Sequence, residues 1–71
     1  MSDNITEASK RLGKRIQKIR DTTNLTQEDL ADKVGISRTH MGHIEQGRKT
    51  PSLKVLGKIA KVLKTKPGEL L

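Results

Sequence analysis

The stretch Gln27 to Gln46, QEDLADKVGISRTHMGHIEQ, constrains this chain more than any other. It reads as a helix, a tight turn and a second helix. Leu30, Ala31 and Val34 recur at helical spacing and form an apolar face. Gly35 follows, where a helix often ends in a left-handed residue. Ile36 is an apolar anchor inside the turn, and Ser37 suits the cap of a helix over 38–46. Two helices crossing at about 90–120° need a small residue near the contact and a tight turn between them. Ala31 supplies the first and Gly35 the second. Leu30, Val34, Ile36, Met41 and Ile44 then lock the pair to a body.

The rest of the chain supplies that body. Ile5, Ala8, Leu12, Ile16 and Ile19 recur at three- and four-residue spacing, the stripe of an amphipathic helix. Lys10, Arg11, Lys14, Arg15 and Lys18 fall largely off the stripe. Thr22, Thr23 and Asn24 favour turns and end the helix. Thr26 is placed to accept from the backbone N–H three residues on, and Glu28 and Asp29 suit the dipole of the helix that follows. After the basic loop Arg48, Lys49 and Thr50, Pro51 suits the first turn of a helix expected from about Ser52 to Leu63. Leu53, Leu56, Ala60 and Leu63 are its expected core face. Val55, Ile59 and Val62 form a second stripe about 100° round the wheel. Lys54, Lys58, Lys61 and Lys64 occupy what remains and read as a solvated face. Thr65 and Pro67 start a last short turn ending in Leu70 and Leu71. The expectation is an all-α fold of five helices, one domain over 1–71, with 1–5 a frayed start.

Composition narrows the function. The formal charge is +7 and the sequence pI about 10.2, which suits a polyanionic partner. The charge is uneven: residues 1–37 hold seven basic and six acidic groups, and 38–71 hold eight and two, so the excess begins at the second helix of the pair. No Trp, Tyr, Phe or Cys is present, so the core must be aliphatic and no disulfide or Cys-based zinc site can staple it. His40 and His43 lie three apart, but zinc normally needs at least three protein ligands, so no metal and no cofactor is expected. No apolar leader and no segment long enough to span a bilayer is seen, so a cytoplasmic setting without membrane association is expected. The acids are scattered and no Gly-rich phosphate loop follows a strand, so no enzyme is expected. The absence of aromatics to stack a base argues against RNA.

A helix pair joined by a tight glycine turn is the DNA-binding helix-turn-helix, whose second helix enters the major groove. At about 100° per residue, Met41 and Ile44 point inward and Thr39, Gly42, His43 and Gln46 point outward, with Arg38 and His40 flanking at the helix start. Arg38, Thr39, His40 and His43 are the candidate base readers; Arg38 suits guanine O6 and N7. Gln46, Arg48, Lys49 and Thr50 are the candidate phosphate contacts, which fix register and carry little sequence information. Gly42, on the outer face, is expected to let the helix sit closer to the groove. Histidine changes charge near neutral pH, so binding is expected to tighten as pH falls from about 8 to about 6 if His43 faces phosphate. One small module reads few base pairs, so a homodimer is expected, with half-sites about 34 Å apart. Val55, Ile59, Val62, Leu70 and Leu71 are its candidate surface; the alternative is that Ile59 and the two leucines only close the core.

LTQEDLADKVGIS, followed by a helix ending IEQGRKTPSL, resembles the signature of the Xre-like helix-turn-helix family of phage repressors and Cro proteins. The resemblance covers residues 12–71, and the Arg38-Thr39 opening is similar to restriction–modification controllers. It implies a five-helix domain whose third helix reads double-stranded operator DNA, usually as a dimer. It also implies that Gln27 contacts a phosphate and braces the start of the reading helix, and that Glu45 pairs structurally with Arg20. No small-molecule ligand is expected. The competing expectation is an antitoxin, or another module whose main task is to mask a partner protein.

Overall fold

The computed structural model describes residues 6–71, and these form five helices without a strand. They are α1 (Glu7–Thr22), α2 (Gln27–Val34), α3 (Arg38–Glu45), α4 (Leu53–Val62) and α5 (Pro67–Leu70). The expected frayed start over 1–5, with Ile5, lies outside the described residues.

Each of the first four helices begins on a hydroxyl that accepts from a backbone N–H left without a helical partner. Thr6 accepts from Ser9 at 3.0 Å, Thr26 from Asp29 at 3.0 Å, Ser37 from His40 at 3.0 Å and Ser52 from Val55 at 3.1 Å. Asp29 reciprocates by accepting from the Thr26 N–H at 3.1 Å, completing a capping box. The turn between α2 and α3 is set by Gly35 at φ +88°. There Ile36 N–H donates to the Ala31 carbonyl at 3.0 Å and Gly35 N–H to that of Asp32 at 3.2 Å. This is a Schellman stop, and its left-handed residue costs glycine nothing sterically.

α2 packs on α3 and α4, while α1 packs on α3 and α5. Ile16, Leu30, Met41, Ile44, Ile59 and Leu70 are the largest fully buried side chains, so every helix contributes an aliphatic anchor. Ala31 is also buried, on the helix that packs on both α3 and α4. α1 approaches the end of α3 more closely than any side chain would permit. A Cβ on Gly13 would stand 2.5 Å from the carbonyl oxygens of both Ile44 and Glu45.

Four expectations are corrected. Ala8 is exposed and Ser9 takes its place in the core, tolerated there because its Oγ lies 2.9 Å from Thr50 Oγ1. Leu53 is 86% exposed. It is the first residue of α4 and sits about 70° from the centre of the buried arc, so it overhangs the domain edge. Pro51 is buried ahead of the Ser52 cap rather than inside the first turn. Ile59 and Leu70 are fully buried within one chain, because α5 closes onto α4, and neither is available to a second copy.

Candidate nucleic-acid interface

The burial of Met41 and Ile44 orients α3 and turns its other side outward. On that side Arg38, Thr39, Gly42, His43 and Gln46 join Gln27 of α2 around an open depression of about 280 Å³. Three of the four expected base readers are therefore gathered on one surface. His40, half-buried, stands outside it.

Gly42 lines this depression, on the outer side of α3 where its spacing puts it, and it has a second neighbour there. It is buried under the Gln27 side chain, and a Cβ there would meet Gln27 Oε1 at 3.3 Å. The small residue makes room for an amide from α2. Gln27 in turn donates from Nε2 to Glu45 Oε1 at 3.1 Å. Its hydrogen bond and its close contact fall on the end and the middle of α3, and it shares the depression with Arg38 and Thr39 at the start.

Glu45 is buried, and the reason an acid is tolerated beside this face is its partner. Arg20 donates through Nε to Oε2 at 2.7 Å and through Nη2 to Oε1 at 3.1 Å. Arg20 Nη1 also reaches the Leu25 carbonyl at 2.9 Å. This fork-on-fork geometry is the strongest form of such a pair. The hydrogen bond to Glu45 raises the Arg20 pKa, against an opposing effect of burial, with the charges of Glu45 and Asp21 adding to the rise. The Glu45 charge is thus compensated inside the fold, and one chain of contacts runs from α1 through Glu45 to Gln27 at the rim of the depression.

α3 ends on Gly47 at φ +81°, where the Arg48 N–H donates to the His43 carbonyl at 2.8 Å and the Lys49 N–H to the same oxygen at 3.2 Å. Arg48 and Lys49 are left exposed in the loop that follows α3. Thr50, expected on phosphate, is tied by its hydroxyl to Ser9 of α1 and anchors the loop. Gly13 and the close approach at Gly47 were not legible as functional constraints. Nothing in a run of helix-forming residues marks which turn another backbone will touch. Among the described residues no group of three or more His, Cys, Asp or Glu side chains converges as a metal site would require, and no helix is long and apolar enough to cross a membrane.

A short capped helix, a glycine turn and a second helix presenting a polar face define a helix-turn-helix protein. The helix-turn-helix family model matches residues 16–70, and the chain belongs to that family. It is 44% identical over 52 residues to an uncharacterized HTH-type transcriptional regulator of Archaeoglobus fulgidus, covering 73% of each chain. In structure it is similar to the restriction-modification controller protein C.AhdI from Aeromonas hydrophila, with a TM-score of 0.89 and 32% identity, over 93% of this chain and 100% of that one. It is also similar to the P22 c2 repressor, solved in complex with a synthetic operator, with a TM-score of 0.81 and 28% identity over 84% of this chain and 91% of that one. Both branches of the resemblance seen in the sequence, repressor and controller, are met by these proteins.

Proposed function

We propose that this protein is a sequence-specific transcriptional regulator that binds double-stranded DNA and reads a two-fold symmetric operator as a homodimer. The observation that carries the reading is the gathering of Arg38, Thr39, His43 and Gln46 with Gln27 on the outward face of α3. Support comes from the operator complex of the similar P22 c2 repressor. Arg38, at the start of α3, is the base reader, suited to guanine by its planar pair of donors. Thr39 reads beside it, and His43 and Gln46 extend the contact along the groove. Gln27, Arg48 and Lys49 hold the phosphodiester backbone. The work is that of a single domain acting in the cytoplasm, with no catalytic step.

With Ile59 and Leu70 in the core, the dimer contact falls to Val55, Val62 and Leu71. Both valines are partly exposed on one flank of α4, and Leu71 is 64% exposed just beyond α5. Selection from a random duplex pool at about 150 mM salt, read by sequencing, tests the whole reading. A symmetric sequence with half-sites a helical turn apart, and guanine where Arg38 reaches, is the expected result. A pool without enrichment sinks sequence-specific reading, and a monomer by sedimentation at micromolar concentration, with and without the selected duplex, sinks the dimer.

A further inference from the structure

We propose that the face of α1 bearing Lys10, Lys14 and Gln17 is a second DNA contact, which holds phosphodiesters of the duplex flanking the base pairs that α3 reads. It rests on the regulator reading above and extends the contact to an element outside the helix pair.

Lys10, Lys14 and Gln17 follow one another at i, i+4 and i+7, so they lie along one side of α1. They line an open cleft of about 370 Å³ whose other wall is Glu45 and Gln46 of the α3 terminus. Gln46 also borders the depression on the outward face of α3. The two concave surfaces meet at that residue, and a polyanion lying along one continues into the other. The loop after α3 joins the same surface. A Cβ on Gly47 would stand 2.9 Å from the Lys10 Cα, and Thr50 Oγ1 lies 2.9 Å from Ser9 Oγ. The loop that carries the exposed Arg48 and Lys49 is therefore held at both ends to the start of α1.

The electrostatics agree. The one carboxylate in the cleft, Glu45, is engaged at both oxygens by Arg20 and its side chain is 3% exposed. Lys10 and Lys14 are exposed and form no ion pair among the described residues. Arg15 is directed away from the cleft, its Nη1 donating to the Glu69 carbonyl at 3.3 Å near α5. The three strip side chains are cationic or amide-bearing, a set that suits phosphate oxygens and offers no apolar anchor for a folded protein.

The test compares wild type with Lys10→Ala/Lys14→Ala, and with Lys58→Ala/Lys61→Ala on the solvent face of α4 as a charge-matched control. All are exposed positions. Binding to the duplex selected by the wild type, carrying flanks, is measured between about 50 and 200 mM salt. Two lost phosphate contacts lower the salt slope by about 1.8, so the wild type loses about twelve-fold more affinity over that range than the α1 variant does. The control keeps the wild-type slope, and the α1 variant selects the same sequence as wild type. Trimming the flanks weakens wild type and leaves the α1 variant unchanged. Equal slopes for the α1 variant and the control overturn the proposal. If wild type selects no sequence, the regulator reading fails separately, and the same slope comparison on a fixed arbitrary 30-bp duplex (about three helical turns) still decides whether α1 contacts phosphate.

Discussion

Arg20 and Glu45, twenty-five residues apart, form a two-point ion pair between α1 and the last residue of α3, at 2.7 and 3.1 Å. The Glu45 side chain is 3% exposed and that of Arg20 12%. Removing one partner of such a pair leaves the other charge without compensation in a largely dry site. Glu45→Ala is expected to lower stability by about 2–3 kcal/mol, below the range for a fully buried pair because Arg20 keeps some solvent. Replacing both residues by apolar ones is expected to cost less than Glu45→Ala alone. Urea denaturation of the two variants checks this, and equal losses would mean the pair does not act as a unit.

Gly13 allows the backbones of α1 and α3 to touch, with Ile44 and Glu45 carbonyls 2.5 Å from where a Cβ would stand. Backbone cannot yield as a side-chain end can. Gly13→Ala is therefore expected to destabilise by about 3 kcal/mol, despite the better helix propensity of alanine. A melting temperature at or above that of wild type would show that α1 can shift without loss.

Gly42 is the opposite case, because its nearest neighbour is the movable amide of Gln27 at 3.3 Å. Gly42→Ala is expected to stabilise the fold by about 0.5–1 kcal/mol through helix propensity. It pushes Gln27 aside, so affinity for the selected duplex falls while thermal stability rises. Stability and affinity moving together in this variant would contradict the assignment of Gly42 to Gln27.

Lys64 ends α4 in the left-handed region, at φ +57°, with Thr65 N–H donating to the Ala60 carbonyl at 2.9 Å. A residue with a Cβ is strained there by about 1 kcal/mol relative to glycine. Lys64→Gly is expected to recover roughly 0.5–1 kcal/mol after the entropy that glycine loses on folding. Chemical denaturation reads this directly, and a loss of stability would mean the lysine side chain contributes more than its backbone costs.

The carboxylate of Asp29 is held below the usual aspartate range, first by the Thr26 backbone N–H and then by the Thr26 hydroxyl. Its folded pKa is depressed from 3.8, so its contribution to stability is fully present above that value. It is lost as pH falls through the folded pKa. Asp29→Asn is expected to flatten the acid limb of the stability profile below about pH 4 and leave the profile near neutrality parallel to that of wild type. An unchanged acid limb would remove Asp29 from the cap.

Local rules decided much of this protein. Thr26, Gly35 and Ser37 carry the α2–α3 turn in their own chemistry, because a hydroxyl cap and a left-handed glycine act over a few residues. The 3.6-residue period likewise turned Met41 and Ile44 inward, and so placed Arg38, Thr39, His43 and Gln46 on the outer face. What lies between elements was decided only by the tertiary structure. Periodicity could not tell that Ile59 and Leu70 would be sealed by α5, that Leu53 would overhang the edge, or that Ser9 rather than Ala8 would face inward. An apolar stripe states which side of a helix seeks cover, not how far the covering element reaches. The same limit hid the close approaches at Gly13, Gly42 and Gly47, each made by another helix. It also hid the meeting of Lys10 and Lys14 with Gln46, side chains remote in sequence that share a surface only because α1 crosses the end of α3.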